Sequence, residues 1–161
     1  MKQILNTKQA IKLASALRDS NKTLVLVGGC FDILHIGHLS FLEKAKNKGD
    51  ILFVLLESDQ DIKNKKGLNR PINNQKNRAR LLSALKIVDY VVLLSEMKND
   101  QDYDLLLNKI KPDIIAVTTG DKSLTNKTRQ AKNINAKLLE VIKLVPHKSS
   151  TKIIDVLSQE K

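Results

Sequence analysis

Thr23-Leu24-Val25-Leu26-Val27-Gly28-Gly29-Cys30-Phe31-Asp32-Ile33-Leu34-His35-Ile36-Gly37-His38 decides the fold, because it joins a strand, a glycine turn and a histidine pair in one run. Thr23 to Val27 is a short apolar, β-branched stretch of the kind that is buried on both faces of a parallel sheet. Gly28 and Gly29 end it, since they permit backbone angles and close approaches that a Cβ would block. Leu39, Leu42 and Ala45 then recur at helical spacing, so a helix begins near Gly37 and aims its N-terminus at whatever lies above the strand. Free N–H groups and a partial positive charge make such an end a natural seat for phosphate. His35 and His38, three apart, share one face there and direct ring nitrogens at the same anion. Two of the chain's three histidines stand in this run. With no cysteine or carboxylate at ligand spacing beside them, an anion site is favoured over a zinc site, and no metal ligand is assigned.

Outward from this run, strand and helix alternate. A helix around Thr7 to Ser20 leads. A helix to about Lys48 follows the histidines, then a strand Ile51 to Leu56, a basic loop Ser58 to Pro71 and a helix Asn73 to Lys86. Tyr90 to Leu94 reads as a strand, Asp100 to Lys111 as a helix closed by Pro112, Ile114 to Val117 as a strand and Ser123 to Asn133 as a helix. Lys137 to Ile142 and Ser149 to Ser158 complete the pattern. Alternation of this kind predicts right-handed crossovers, a five-stranded parallel sheet and helices on both faces, with ligands beyond the carboxyl ends of the strands.

Composition agrees with one α/β domain over 1–161. A chain of 161 residues with 42% apolar residues is long enough for a proper core. Its longest apolar runs fall far short of the ~20 residues a membrane helix needs, so no membrane association is expected. One cysteine cannot make an internal disulfide, and no signal peptide is evident, so a cytoplasmic location is expected. Cys30 has two readings, a small buried filler or a reactive thiol, and the sequence favours the first. The net charge of +11 would suit nucleic acid, but the lysines are scattered, arginine is scarce and aromatics are only 3%. Attraction of small anionic substrates is the better reading of that charge.

The His-x-Gly-His tetrad after Gly-Gly-x-Phe-Asp resembles the nucleotidyltransferase superfamily of cytidylyltransferases, pantetheine-phosphate adenylyltransferase and, more distantly, class I aminoacyl-tRNA synthetases. Later segments match in order: Gly49-Asp50, Ser58-Asp59, Lys66-Gly67, Arg70-Pro71-Ile72-Asn73, Arg78, Leu81 to Asp89, Pro112-Asp113, Gly120-Asp121 and Ser149-Ser150-Thr151. Over nearly the whole chain they look like a heptose-1-phosphate adenylyltransferase domain. The resemblance implies a Rossmann-like three-layer sandwich and assigns His35, His38 and Lys66 to catalysis. It places Gly29, Cys30, Phe31, Gly37, Arg78, Gly120, Asp121, Ser149, Ser150 and Thr151 on the nucleotide. Asp32, Asp59 and Arg70 go to the phosphorylated acceptor.

Taken alone, the run Lys63 to Arg70 is a weak signal, because charged loops are mostly solvated surface. Ser149 or Ser150 is equally explained as a helix N-cap, although a helix start is also an anion site. Val117-Thr118-Thr119 stands where the resembling family has a Lys-Gly pattern, which leaves base and acceptor preference open. The implied reaction is in-line attack of an acceptor phosphate on the α-phosphorus of a nucleoside triphosphate, ATP before CTP. Fixed donors stabilise the growing charge, and Mg²⁺ arrives with the triphosphate. A CTP-dependent enzyme acting on glycerol 3-phosphate or a phospho-alcohol is the alternative. Lys148 to Lys152 faintly echoes the synthetase lysine-serine loop, but the length leaves no room for an anticodon-binding domain. A non-catalytic nucleotide or nucleic-acid binder is disfavoured by the intact histidine pair. Relatives are commonly dimers, so a homodimer is one option the resemblance offers, and the oligomeric state is left open.

Overall fold

The computed structural model describes residues 3–143 and 150–158; Pro146 to Ser149, singled out from the sequence, lie outside them. The chain runs β1 Gln3–Asn6, α1 Thr7–Asp19, β2 Leu24–Gly29, α2 Ile36–Lys46, β3 Ile51–Leu56, α3 Asp59–Lys66 and α4 Gln75–Ala84. It continues β4 Tyr90–Leu93, α5 Asp100–Ile110, β5 Ile114–Thr119, α6 Leu124–Asn133, β6 Lys137–Lys143 and α7 Ser150–Ser158. The strands form one sheet in the order β1-β4-β3-β2-β5-β6, and every pairing is parallel. Side chains alternate across it with the two-residue period of a strand. Leu24, Leu26, Phe53, Leu55, Val92 and Ile115 pack with residues of α1, α5 and α6. Val25, Val27, Leu52, Val54, Leu56 and Val91 pack with residues of α2 and α4. Both faces are covered, which is why β2 and β3 read as unbroken apolar runs.

Three expectations change. The sheet has six strands, because Gln3–Asn6 pairs with Tyr90–Leu93 at the edge. Only four residues long with polar ends, β1 carries almost no periodic signal. Asn6 at its end caps α1 through a reciprocal bond with Gln9. The basic loop 58–71 contains a helix, α3, hidden from periodicity because Ile62 is its one apolar residue. Ser58 caps that helix, Asp59 and Asp61 open it, and Lys63, Lys65 and Lys66 close it, all in the sense the helix dipole favours. Finally, β2 continues through Gly28 and Gly29, and the left-handed backbone falls on Phe31 instead, at φ 44°. Gly49 is the glycine that close packing demands, since a Cβ there would lie 2.7 Å from Val25 Cγ2 and 2.9 Å from the Thr23 carbonyl oxygen.

Strand order positions the site. From β2 the chain moves through β3 to β4 on one side, then crosses to β5 and β6 on the other, so the topological switch lies between β2 and β5. β2 pairs with β3 along all six residues, from Leu24↔Ile51 to Gly29↔Leu56. It pairs with β5 only at Val25↔Ile114 and Leu26↔Ile115. The two strands therefore part towards their carboxyl ends, and Gly28 and Gly29 border the opening.

Candidate active site

Two clefts open at this switch point, one on each face of the sheet, and Gly28 and Gly29 line both. The first, of about 380 Å³, lies on the α2 side and is bounded by Gly29, Cys30, Phe31, His35, Gly37, His38, Lys66, Asp121, Ser150 and Thr151. These are ten of the residues expected from the sequence to meet nucleotide or to catalyse. Gly28, Phe41, Thr118, Ile142 and Lys143 complete the lining. The carboxyl ends of β5 and β6 supply three of those five. Sheet topology could have pointed to them; residue type could not.

His35 caps α2: its Nδ1 accepts from the Gly37 N–H at 3.1 Å. An imidazole that accepts at Nδ1 carries its proton on Nε2, so the second nitrogen of His35 is a donor. The rings of His35 and His38 stack with centroids 3.9 Å apart, and Phe31 lies against His38 at 5.1 Å. Burial, then the charges of His35 and Lys66, hold His38 down at about 4, against an opposing pull from the Ile33 backbone. His38 is therefore neutral at pH 7. The pair can donate N–H groups to an anion without the cost of burying two adjacent cations.

Lys66, at the end of α3, brings its Nζ to 3.0 Å from Cys30 Sγ, a contact between residues 36 apart that sequence spacing does not reveal. The start of α7 approaches from the other side, where the Ser150 hydroxyl donates to the Ile33 carbonyl at 3.1 Å. The described start of α7 thus stands beside the start of α2. Asp121 follows Gly120, whose φ of 79° makes the turn, and accepts from the Ser123 N–H at 2.7 Å. It is the one acidic residue among the described residues lining this cleft.

Four of the residues expected to meet a ligand are engaged within the fold. Asp32 is fully buried and accepts from Arg70 Nε at 2.7 Å, from Ile72 N–H at 3.1 Å and from Asn73 N–H at 3.0 Å. Burial raises its carboxyl, but those bonds outweigh burial and leave it below the usual range. Arg70 faces Asp32 through Nε, and its Nη2 is buried without a hydrogen-bond partner among the described residues. Arg78 is wholly enclosed; it donates to the carbonyls of Asn73, Cys30 and Glu57 and to Asp59 Oδ1 at 2.7 Å. Asp32, Asp59, Arg70 and Arg78 thus tie the segments after β2 and β3 to the start of α4. None lines either cleft, and neither does Gly120. Ser149 lies outside the described residues.

The second cleft, of about 350 Å³, was not foreseen. Leu26, Leu55, Leu94, Leu107 and Ile115 form an apolar floor, and Glu57, Lys65, Asn99, Asn126, Lys127 and Gln130 a polar rim. Asp61, buried and bonded to Ser58, accepts from the Met97 N–H and so fixes one wall. Tyr103 stands in it, its phenol pushed up by burial and then by Glu57, Asp61 and Asp100, so that it remains a neutral donor. Because these residues come from β2, β3, α3, α5, β5, α6 and the segment before α5, with no shared motif, no local pattern announces the cleft.

The sheet order, paired clefts and stacked histidines define a nucleotide-handling α/β domain. The chain belongs to the cytidylyltransferase-like family of nucleotidyltransferases, which matches residues 26–157. It is 43% identical over 155 residues to the bifunctional protein HldE of Campylobacter fetus, covering 92% of this chain and 31% of that protein. It is 41% identical over 160 residues to that of Helicobacter hepaticus, covering 99% and 31% respectively. The chain thus spans about a third of the curated relatives it matches. Among solved structures, a lipopolysaccharide core biosynthesis protein from Thermoplasma volcanium superposes with a TM-score of 0.62 at 27% identity, covering 77% of this chain and 97% of that one. Pantoate-beta-alanine ligase from Francisella tularensis, complexed with beta-gamma ATP and beta-alanine, shares the fold with a TM-score of 0.68 at 17% identity, covering 98% and 77%. No helix among the described residues is long and apolar enough to cross a membrane.

Proposed function

We propose that this domain transfers an adenylyl group from ATP to a sugar 1-phosphate, yielding an ADP-sugar and pyrophosphate. The observation that carries the reading is the meeting of two clefts at Gly28 and Gly29, one lined by His35, His38 and Lys66 and the other by an apolar floor with a polar rim. Two substrates can approach each other only across that shared edge. The triphosphate lies along the α2 and α7 starts, and the acceptor enters from the α5 and α6 side. A phosphate oxygen of the acceptor attacks the α-phosphorus, a P–O–P bond forms, the bond to the bridging oxygen of the β-phosphate breaks, and pyrophosphate leaves.

His35, His38 and Lys66 donate to the phosphate oxygens that gain charge, and their geometry is fixed before reaction by the Gly37 bond, the ring stack and the Cys30 contact. Mg²⁺ carried on the triphosphate substrate would supply neutralising charge to the pyrophosphate. Among the described residues no group of three or more His, Cys, Asp or Glu side chains gathers to hold a metal of its own. The size of the second cleft favours a sugar over a three-carbon acceptor, and its Tyr103, Asn126 and Gln130 suit a polyol with an apolar ring face. The similarity to HldE proteins over this domain supports the same choice.

The test is kcat/KM for ATP and for CTP, each with heptose 1-phosphate and with glycerol 3-phosphate. ATP with the heptose phosphate should lead by at least about tenfold, a difference of about 1.4 kcal/mol in transition-state binding. A tenfold lead for CTP or for glycerol 3-phosphate would replace this reading with that of a cytidylyltransferase.

A further inference from the structure

We infer that Lys127 is the acceptor-positioning residue, a cation shared between the two clefts that seats the acceptor's phosphate at their junction. This rests on the two-substrate reading above. Lys127 lies on α6 and lines the second cleft, yet its Nζ is 2.7 Å from Oδ2 of Asp121, which lines the first. The pair therefore spans the wall between them. Both side chains are mostly buried, at 26% and 19% exposure, so the contact is a defined one rather than a passing surface encounter.

Charge explains why a cation is needed there. The reaction brings an anionic acceptor phosphate against an anionic triphosphate, and like charges at close range oppose the approach unless a cation stands between them. Asp121 adds a further negative charge on the nucleotide side. The other lysines on the second cleft are Lys65, paired with Glu57 at 3.2 Å on the β3 side, and Lys98, in the segment before α5. Of these three, Lys127 is the one that ion-pairs with a residue lining the first cleft. With the acceptor absent it neutralises Asp121. As the acceptor phosphate arrives, the ammonium turns to it, and the Asp121 carboxylate is freed to accept a hydroxyl from the nucleoside. Its compact, rotatable donors suit such a shared duty better than a rigid fork would.

The experiment is calorimetric titration of heptose 1-phosphate into the protein held with an α,β-methylene analogue of ATP, which binds but cannot transfer. Wild type, Lys127→Ala and Lys127→Arg are compared, and the affinity of the analogue itself is measured in each. Lys127→Ala should weaken heptose 1-phosphate by at least about tenfold while moving the analogue by less than about threefold, and Lys127→Arg should recover most of the loss. Acceptor binding unchanged in Lys127→Ala overturns the assignment, as does a loss of analogue affinity equal to the loss of acceptor affinity, which would make the residue only a brace for α6. If wild type binds the sugar phosphate but makes no ADP-sugar from ATP, the chemistry proposed above fails while the role of Lys127 in seating a phosphate stands. If wild type binds no sugar phosphate, both fall.

Discussion

Lys66 and Arg70 stand four residues apart on either side of the turn that follows α3, and they face opposite duties. Lys66 is exposed and places its ammonium in the first cleft beside Cys30. Arg70 is 8% exposed and is spent on Asp32, whose two oxygens also collect the N–H groups of Ile72 and Asn73. Arg78 repeats the second pattern, reading three carbonyls and one carboxylate. The difference follows from the side chains. A guanidinium is a planar fork that satisfies several fixed acceptors at once, which suits permanent internal bonds. Lysine offers a point charge on a flexible stem, which suits a guest that comes and goes. One set of cations therefore holds the walls of the cleft together, and another lines it.

The sharpest break of this division comes from the buried latch. Removing the carboxylate in Asp32→Ala leaves Arg70 and two backbone donors uncompensated, and breaking a buried pair in this way costs about 3–5 kcal/mol. Urea denaturation should show that loss, and thermal unfolding should show a falling midpoint. Any lost activity should track the unfolded fraction rather than a changed KM. A stability within about 0.5 kcal/mol of wild type would mean that the pair is not the latch described.

This division also marks how far the sequence could be read. The parallel sheet, the helix starting beside His35, and the pairing of His35 with His38 were legible because each is written in a strong local pattern: an apolar run, a glycine pair, a periodic helix; Lys66, Asp121 and Ser150 were marked only by the resemblance to nucleotidyltransferases. Whether Arg70 or Asp59 meets a ligand was not, since that depends on which carbonyls and carboxylates the folded chain presents to it. β1 and α3 escaped for a related reason. Their formation depends on pairing with β4 and on caps such as Ser58, not on periodicity. The second cleft, assembled from six elements and the segment before α5, is a product of topology alone.

The ligand-facing set is tested by His38→Ala. Removing one preorganised donor typically costs about 10²-fold or more in turnover, equivalent to about 2.7 kcal/mol. Because the ring's role is at the cleft, the melting temperature should move far less than in Asp32→Ala. Single-turnover adenylyl transfer measured beside a melting curve separates the two effects. Near wild-type pyrophosphate release from the mutant would remove His38 from catalysis and place it with Arg78 among the internal braces.

A smaller effect, and a finer probe of the same ring, is the pH dependence of stability. His38 titrates near 4 in the folded chain, because of burial and then the neighbouring charges of His35 and Lys66, against 6.5 when unfolded. Between those values the unfolded state holds a proton that the folded state lacks, so stability rises with pH across that window. It is fully present above 6.5 and declines as pH falls towards 4, by up to about 1.4 kcal/mol for each pH unit. Asp32, whose folded value is also lowered, adds its own dependence at lower pH, near and below 3.8. His38→Gln keeps a polar amide but removes the titration. Urea midpoints at pH 6.5, 5.5 and 4.5 should therefore fall more steeply for wild type than for His38→Gln, with Asp32 contributing alike to both. Parallel profiles would show that the imidazole is protonated as readily in the folded chain as in the unfolded one, and would undo the picture of a neutral donor beside His35.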